Sequence, residues 1–264
     1  MRLHGPDTPA ARLTADHSGG VTLGPAERRL RARMPLHAIT SVHGEAGLRE
    51  RLAIELAADP PAGRAGAADA LALASGLHAA DRRQREPYVN HLLRVAIRIL
   101  HHYRVRDTDV TCAALLHDAV EDHAAGIAPG GRNDPLGVLA ARFGGRTAAL
   151  VAAVTNPDYQ PGRDEHQQYR EHVTASLQAS PWARVIKASD FTGNAVGVIH
   201  LTGPKLSRLA RKYGPLVPVL RELILRPDTP LDADVKTMIA GQLDTAQGRF
   251  AAIWHSTDAG GDQR

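Results

Sequence analysis

Apolar residues recur along most of the chain with the three-to-four-residue spacing of amphipathic helices, while the alternation typical of strands is scarce. From residue 44 onward this spacing predicts a succession of helices separated by breaks that contain Gly or Pro. The expected helices are 44–58, 67–82, 88–103, 107–123, 135–143, 146–154, 164–178 and 182–199, followed by a helical C-terminal layer to residue 254. We therefore predict an all-α helical bundle in which residues 44–254 form one domain.

The two ends of the chain lack this periodicity. Residues 1–40 are rich in Arg, Gly, Pro and Ala, and we predict that they form a flexible tail. Met34 stands near the end of this stretch and is an alternative candidate for the start of translation, which would leave residues 1–33 untranslated. Residues 255–264 are predicted to be a frayed C-terminus.

Composition narrows the class of protein. Apolar residues make up 43% of the 264 residues but aromatic residues only 4%, so the core must consist mainly of Ala, Leu, Val and Ile. The single cysteine, Cys112, excludes an intramolecular disulfide. No apolar run is long enough to span a membrane and no secretory signal is visible, so we expect a cytoplasmic protein without a membrane partner. The net charge of +4 suits a phosphorylated ligand but equally an Arg-rich surface with no partner.

One predicted helix carries an unusual polar cluster. Its segment 113–122 is apolar on nearly every side, yet it contains His117, Asp118, Glu121 and Asp122. Burying three carboxylates together is costly unless positive charge compensates them, and the segment has no Lys or Arg. A bound metal ion would supply that charge. The alternative is a helix whose polar face meets solvent.

Two other segments add candidate residues. Lys187, Asp190 and Asn194 are spaced to share one helix face, so Asp190 is a candidate fourth metal ligand and Lys187 a candidate phosphate contact. An ordinary amphipathic helix with a polar stripe would give the same pattern. His91 begins another helix just after an arginine-rich loop, although a lone histidine is usually not a ligand. Arg82 and Arg83 in that loop could stack on a base or bind phosphates.

Taken together, these segments resemble the hydrolase domain of the RelA/SpoT alarmone enzymes, which belongs to the HD superfamily, and the small stand-alone alarmone hydrolases in particular. The resemblance extends over about residues 66–225, and the motifs occur in order and without shifts. They are Arg82 with Glu86-Pro87-Tyr88 and His91, then residues 113–118 with Val120-Glu121-Asp122, and finally Ile186-Lys187-Ala188 with Asp190 and Asn194.

The resemblance implies a metal-dependent hydrolysis of the 3′-pyrophosphate of ppGpp and pppGpp, giving GDP or GTP and pyrophosphate. It implies Mn²⁺, although other divalent cations suit the same ligands. By position, the metal ligands would be His91, His117, Asp118 and Asp190. Glu121 and Asp122 would activate and position the attacking water. The remaining implied roles are substrate contacts: Arg82 would stack on the guanine base with Arg83 nearby, and Asn194 would contact the nucleotide. Lys187, from its place on the same helix face as Asp190, is the candidate phosphate contact.

Some residues depart from the family pattern. Arg85 replaces a usual Gly, and His123 stands where Thr is common. Phe191-Thr192-Gly193 replaces a usual run of a basic residue, Leu, and His or Tyr. Because these departures surround the nucleotide pocket, the base preference stays open between guanine, adenine and another nucleotide. The alternatives are therefore an HD phosphohydrolase with a different phosphoester substrate and a non-catalytic helical binding domain. No nucleic-acid-binding motif is present, no nucleic-acid partner is expected, and the oligomeric state is left open.

Overall fold

The computed structural model describes residues 23–83, 86–129, 134–156, 158–196 and 204–259. Helices dominate this part of the chain, and the predicted all-α class is confirmed. In chain order the elements are α1 (Pro25–Arg33), α2 (Leu36–Leu56), α3 (Pro61–Leu77), β1 (Arg82–Arg83), β2 (Glu86–Pro87), α4 (Val89–His101), α5 (Thr108–Leu116), α6 (Ala119–Ile127), α7 (Pro135–Phe143), α8 (Gly145–Val154), α9 (Glu165–Ala179), α10 (Pro181–Val196), α11 (Pro204–Tyr213), α12 (Val217–Leu225) and α13 (Ala233–Ala259). Within the described residues, no helix combines the length and apolar composition needed to cross a membrane.

Side-chain caps and prolines explain why several helices begin where they do. Asp107, Asp134 and Asp164 each accept a hydrogen bond from a backbone N–H in the first turn of α5, α7 and α9, respectively. Such caps satisfy backbone donors that have no partner inside the helix. Pro61 and Pro135 stand at the first position of their helices, where the missing N–H costs nothing.

Helix α4 lies at the centre of the bundle. It packs against α2, α5 and α10, and nearly all of its apolar side chains are buried. The Arg98 guanidinium donates to the backbone oxygen of Ser189 at 2.6 Å, and the Ser189 hydroxyl donates to the backbone oxygen of Val95 at 2.9 Å. These bonds fix α10 against α4 next to Asp190.

A second anchor holds the other end of α10. The fully buried Arg184 donates to both carboxylate oxygens of Asp228 at 2.9 and 3.0 Å and to the backbone oxygen of Leu177 at 2.7 Å. Asp228 lies between α12 and α13, so this ion pair joins α10 to the C-terminal layer. That layer was predicted from the sequence, and α11, α12 and α13 form it.

The prediction of a flexible tail over residues 1–40 is wrong for its C-terminal part. Residues 25–33 and 36–40 are helical, and Ile39 is completely buried. Buried Arg51 of α2 donates to the backbone oxygens of Arg31 and Met34, which attaches α1 to the bundle. Long-range contacts therefore order a segment with little periodicity of its own. Residues 1–22 lie outside the described residues.

Three other boundaries also differ from the sequence predictions. The predicted helix 107–123 is divided into α5 and α6 at the His117-Asp118 pair. The predicted helix 67–82 begins earlier and ends at Leu77, before a two-stranded antiparallel ribbon in which Arg82 pairs with Pro87. The C-terminus predicted to fray from residue 255 remains helical to Ala259, and residues 260–264 lie outside the described residues.

Candidate metal centre and its surroundings

Four side chains from separate parts of the bundle converge on one point. His91 comes from the first turn of α4, His117 and Asp118 from the α5–α6 junction, and Asp190 from α10. Nε2 of His91 lies 3.2 Å from Oδ1 of Asp190 and 3.7 Å from Oδ2 of Asp118. Nε2 of His117 lies 3.0 Å from Oδ2 of Asp118 and 3.7 Å from Oδ1 of Asp190. All four candidate ligands predicted from the sequence thus lie together.

The two histidines present free nitrogens to this point. Nδ1 of His117 is 2.9 Å from the backbone oxygen of Ala114, and it donates there when the proton is on Nδ1. This tautomer leaves Nε2 as a lone-pair donor, the form in which imidazole binds metals. Within the described residues, the buried Nε2 atoms of His91 and His117 form no well-aligned hydrogen bond, although carboxylate oxygens lie 3.0–3.7 Å away. Buried polar atoms without partners are costly, and coordination of a cation would satisfy both.

The spacing of the four donor atoms suits a first-row divalent cation. Bonds of roughly 2.1 Å to nitrogen and oxygen place neighbouring ligands about 3.0–3.4 Å apart in octahedral or tetrahedral geometry. The four His–Asp separations of 3.0–3.7 Å lie close to that range. The ligand atoms of His91, His117 and Asp190 all lie within 4.8 Å of one another, and Asp118 stands next to this group of three through its contacts with both histidines. Two imidazoles and two carboxylates form a donor set that Mn, Fe and Zn all accept. The residues therefore fit a divalent metal without selecting one.

The pKa values of the two histidines also indicate a site that attracts a cation. Burial alone would lower the pKa of His117, but the carboxylates of Asp118 and Asp190 outweigh burial and raise that pKa to about 10. Burial lowers the pKa of His91 to about 4 despite its contact with Asp190. The carboxylates therefore attract a positive charge into a buried space, where a divalent cation would take the place of a proton on His117.

The acidic pair Glu121 and Asp122 lies in the first turn of α6, immediately after the metal-ligand candidates. Both residues are exposed, so the expectation that three carboxylates are buried together is wrong. Nδ2 of Asn156 donates to Oε1 of Glu121 at 2.6 Å. Although Asp122 is exposed overall, partial desolvation of its carboxyl group, together with the charges of Asp118 and Glu121, raises its pKa to about 6. A carboxylate with this pKa is suited to accept a proton near neutral pH.

The predicted substrate-contact residues are only partly brought together. Arg83 donates to Oδ1 of Asn194, whose Nδ2 donates to Oδ1 of Asp190 at 2.7 Å. Nζ of Lys187 lies 3.2 Å from Oδ2 of Asp190. These three residues therefore border the metal centre. Arg82 differs from them because it is exposed on β1 and paired through its backbone with Pro87.

Sequence reasoning missed two residues that take part in this region. The hydroxyl of Tyr88 donates to Oδ2 of Asp118 at 2.7 Å, and its ring packs edge-on against His91. Nζ of Lys212 lies 4.4 Å from the ring centre of Tyr169 and adds positive charge near Glu121. Tyr88 belongs to the Glu86-Pro87-Tyr88 motif, so the sequence offered a signal for its place near the metal centre. Lys212 carries no sequence signal, because only the packing of α11 places it there.

Comparison with known proteins shows what part of the chain resembles. Residues 70–181 match the sequence profile described as the HD domain. A solved structure titled as a metazoan ortholog of SpoT that hydrolyses ppGpp and plays a role in starvation responses superimposes with a TM-score of 0.54. It is 23% identical in sequence and covers 70% of this chain and 95% of that one, which supports the fold. Residues 70–181 of this chain are therefore similar to an HD domain.

The similar curated proteins are guanosine-3′,5′-bis(diphosphate) 3′-pyrophosphohydrolases named MESH1. Those of Danio rerio and Mus musculus are each 32% identical over 104 residues, which is 39% of this chain and 51% of theirs. That of Xenopus tropicalis is 30% identical over 125 residues, or 46% of this chain and 63% of its own length. The chain thus spans 51% to 63% of the length of these relatives, which is less than two thirds of each. The resemblance to alarmone hydrolases indicated by its motifs is confirmed.

Proposed function

We propose that this protein is a metal-dependent hydrolase that removes the 3′-pyrophosphate of ppGpp and pppGpp. The observation that carries the proposal is the convergence of His91, His117, Asp118 and Asp190 with two unpartnered imidazole nitrogens. The names of the relatives supply the substrate class. We further propose Mn²⁺ as the ion, because the family resemblance implies it and the donor set accepts it.

A bound divalent cation supplies Lewis-acid polarisation of a phosphoryl oxygen and lowers the pKa of a nearby water. His91, His117, Asp118 and Asp190 would hold that cation. A hydrogen bond outside the centre keeps His117 oriented, because the backbone oxygen of Ala114 accepts from Nδ1 of its ring. Such outer contacts set the tautomer and direction of metal-binding side chains.

Asp122 and Glu121 have different roles toward the attacking water. Asp122 accepts the proton of the water, because its raised pKa makes it a stronger base than an ordinary aspartate. Glu121, held by Asn156, orients the water. The water oxygen bonds to the phosphorus attached to the ribose 3′ oxygen. The bond from that phosphorus to the 3′ oxygen breaks, and the 3′ oxygen receives a proton as pyrophosphate leaves.

Basic residues near the metal centre bind the diphosphate and the base of the nucleotide. Lys187 next to Asp190 is placed to neutralise charge on the diphosphate. Arg83, with Asn194, contacts the nucleotide beside the metal centre. Arg82 is exposed, and we propose that its planar guanidinium stacks on the base. The substrate partner is therefore a small nucleotide, and none of these roles requires nucleic acid.

The order in which products appear tests this proposal. The purified full chain with Mn²⁺ is incubated with ppGpp, and its products are followed by ³¹P NMR. We expect GDP and pyrophosphate without early orthophosphate. Orthophosphate as the first product would contradict the 3′-pyrophosphohydrolase and favour an HD phosphatase. The adenine counterpart of ppGpp, assayed in parallel, reports the base preference, and no turnover of any nucleotide would favour a non-catalytic binding domain.

A further inference from the structure

A second cluster of histidines and a carboxylate lies beside the candidate metal centre. It consists of His78 after α3, Asp81 before the ribbon and His123 in α6. Nδ1 of His78 lies 2.7 Å, and Nε2 of His123 2.6 Å, from the same oxygen of Asp81, Oδ2. The rings of the two histidines meet edge to face with centres 4.5 Å apart.

The distances within this cluster are those of hydrogen bonds. Two ligands of one divalent cation would stand about 3.0–3.4 Å apart, as the four residues at the candidate centre nearly do. Contacts of 2.6 and 2.7 Å instead match an N–H donor on each imidazole and a charged carboxylate acceptor. Burial lowers the pKa of His78, and the bonds from His123 and His78 lower the pKa of Asp81, which agrees with neutral imidazoles around a carboxylate.

The cluster is linked to the metal centre through one aromatic ring. His78 stacks on Tyr88 with ring centres 4.6 Å apart and planes within 11°. The backbone N–H of Tyr88 donates to the backbone oxygen of Asp81 at 3.2 Å, so Asp81 holds Tyr88 from two directions. The hydroxyl of Tyr88 then donates to Oδ2 of Asp118.

The third member of the cluster connects it to the acidic pair. At His123 the backbone departs from helical angles (φ −138°, ψ 34°) inside α6, and the ring of this residue lies against Asp81. Glu121 and Asp122 immediately precede it in the same helix. The bond from His123 to Asp81 therefore joins the helix of the acidic pair to the ribbon that carries Arg82.

We propose that Asp81, bound by His78 and His123, is a positioning residue of the metal centre, which holds the stack of His78 on Tyr88 and so directs the Tyr88 hydroxyl to Asp118. The inference rests on the proposed metal centre but not on the identity of the substrate. Asp81 acts through other residues, because its own contacts are with His78, His123 and the backbone of Tyr88.

Metal affinity measured without nucleotide tests this inference. Binding of Mn²⁺ to the metal-free full chain is followed by EPR of the free ion for wild type, Asp81→Ala, Tyr88→Phe and the double variant. We expect one equivalent bound by wild type and an affinity about tenfold weaker in each single variant, the lower end of the usual effect of an outer contact. The double variant should bind no more weakly than Tyr88→Phe, because both changes interrupt the same path.

Two further comparisons distinguish a positioning role from a non-specific loss of Mn²⁺ affinity caused by substitution. Asp69→Ala removes a surface carboxylate that pairs with Arg142, and its affinity for Mn²⁺ should equal that of wild type. His123→Gln keeps an N–H donor and should retain more affinity than His123→Ala. If circular dichroism shows that Asp81→Ala is unfolded, the comparison of these two His123 variants tests the inference instead.

The outcomes are distinct. Wild-type affinity in folded Asp81→Ala, or strictly additive losses in the double variant, would overturn the positioning role. Two equivalents of Mn²⁺ in wild type, with one lost in Asp81→Ala, would show that the cluster is itself a metal site and would also overturn the positioning role. If wild type binds no divalent cation, the metal centre fails first and the positioning role fails with it.

Discussion

Nε2 of His117 lies 3.0 Å from Oδ2 of Asp118, although these residues are neighbours in the chain. Consecutive side chains on a continuous helix point about 100° apart, which separates their polar ends. Here α5 ends at Leu116 and α6 begins at Ala119, so the pair occupies the junction between two helices. The junction lets both side chains contribute to one centre.

Removal of Asp118 should abolish metal binding. In Asp118→Ala the centre loses one of its two carboxylates, so we expect no stoichiometric Mn²⁺ and no hydrolysis. Wild type should gain about 2.7 kcal/mol of stability at a Mn²⁺ concentration 100 times its dissociation constant, and the variant should gain none. Thermal unfolding with and without Mn²⁺ measures this difference. Asp244→Ala, which breaks a surface pair with Arg221, is the control. An Asp118→Ala protein with one Mn²⁺ and full turnover would refute the assignment.

Replacement of Asp122 should separate catalysis from metal binding. Asp122→Asn removes the proposed base but none of the proposed ligands, so we expect kcat to fall by roughly 10²–10⁴ with Mn²⁺ retained. Single-turnover rates and metal analysis of the same samples provide the measurement. Glu121→Gln should also keep the metal. If Glu121→Gln loses the metal instead, Glu121 is a ligand and its orienting role is wrong.

The proposed base also predicts a dependence on pH. Asp122 must be deprotonated to accept a proton, so the rate should be at its plateau above the pKa and fall as pH falls through it. The pKa is about 6 without a cation, and a bound cation moves it lower by favouring the carboxylate. The acid limb of kcat/KM should therefore have its midpoint at or below about pH 6. A midpoint well above that value, unchanged in Asp122→Asn, would assign the proton transfer to another group.

The exposed arginine of β1 should affect substrate binding more than turnover. Arg82→Lys keeps the charge but loses the planar guanidinium, so stacking on a base is weakened. We expect KM for ppGpp to rise several-fold, with a smaller change in kcat. Arg142→Lys, which alters an exposed arginine paired with Asp69, serves as the comparison. Identical kinetics for Arg82→Lys and wild type would place the base elsewhere.

Two arginines of α2 give a matched test of stability. Arg51 is buried and bonded to Glu55, which is also buried, whereas Arg49 forms a partly exposed pair with Glu45. Arg51→Met leaves a buried carboxylate with less compensation, so we expect a loss of about 3 kcal/mol in the free energy of unfolding. Arg49→Met should cost at most about 1 kcal/mol. Urea unfolding compares them, and equal losses would contradict the proposed role of burial.

The sequence, read together with the family resemblance, was sufficient to name the four residues that the structure brings together as the candidate metal centre. His117 and Asp118 were identified because a buried helix with several uncompensated carboxylates needs a compensating charge. Asp190 was a candidate because it lies on a polar helix face, and only the family resemblance implied His91 as a ligand. The sequence was not sufficient to predict the helix break that brings these side chains together. The break between α5 and α6 lies in an apolar stretch without Gly or Pro, so no local signal marks it.

Other differences have their origin in long-range packing. Residues 25–40 carry little periodicity, and the bonds from Arg51 to Arg31 and Met34 come from a helix further along the chain. Lys212 reaches the neighbourhood of Glu121 only because α11 packs beside Tyr169. Patterns within a window of a few residues contain no information about such contacts.

The position of α10 has a practical consequence for the choice of fragment boundaries. The HD domain profile ends at residue 181, at the first residue of α10, whereas Lys187 and Asp190 lie further along that helix. A fragment cut at the profile boundary would keep His91, His117 and Asp118 but discard the carboxylate opposite them. A protein of residues 70–181 alone would thus contain only three of the four proposed ligands, and inactivity of that fragment would carry no information about the intact chain.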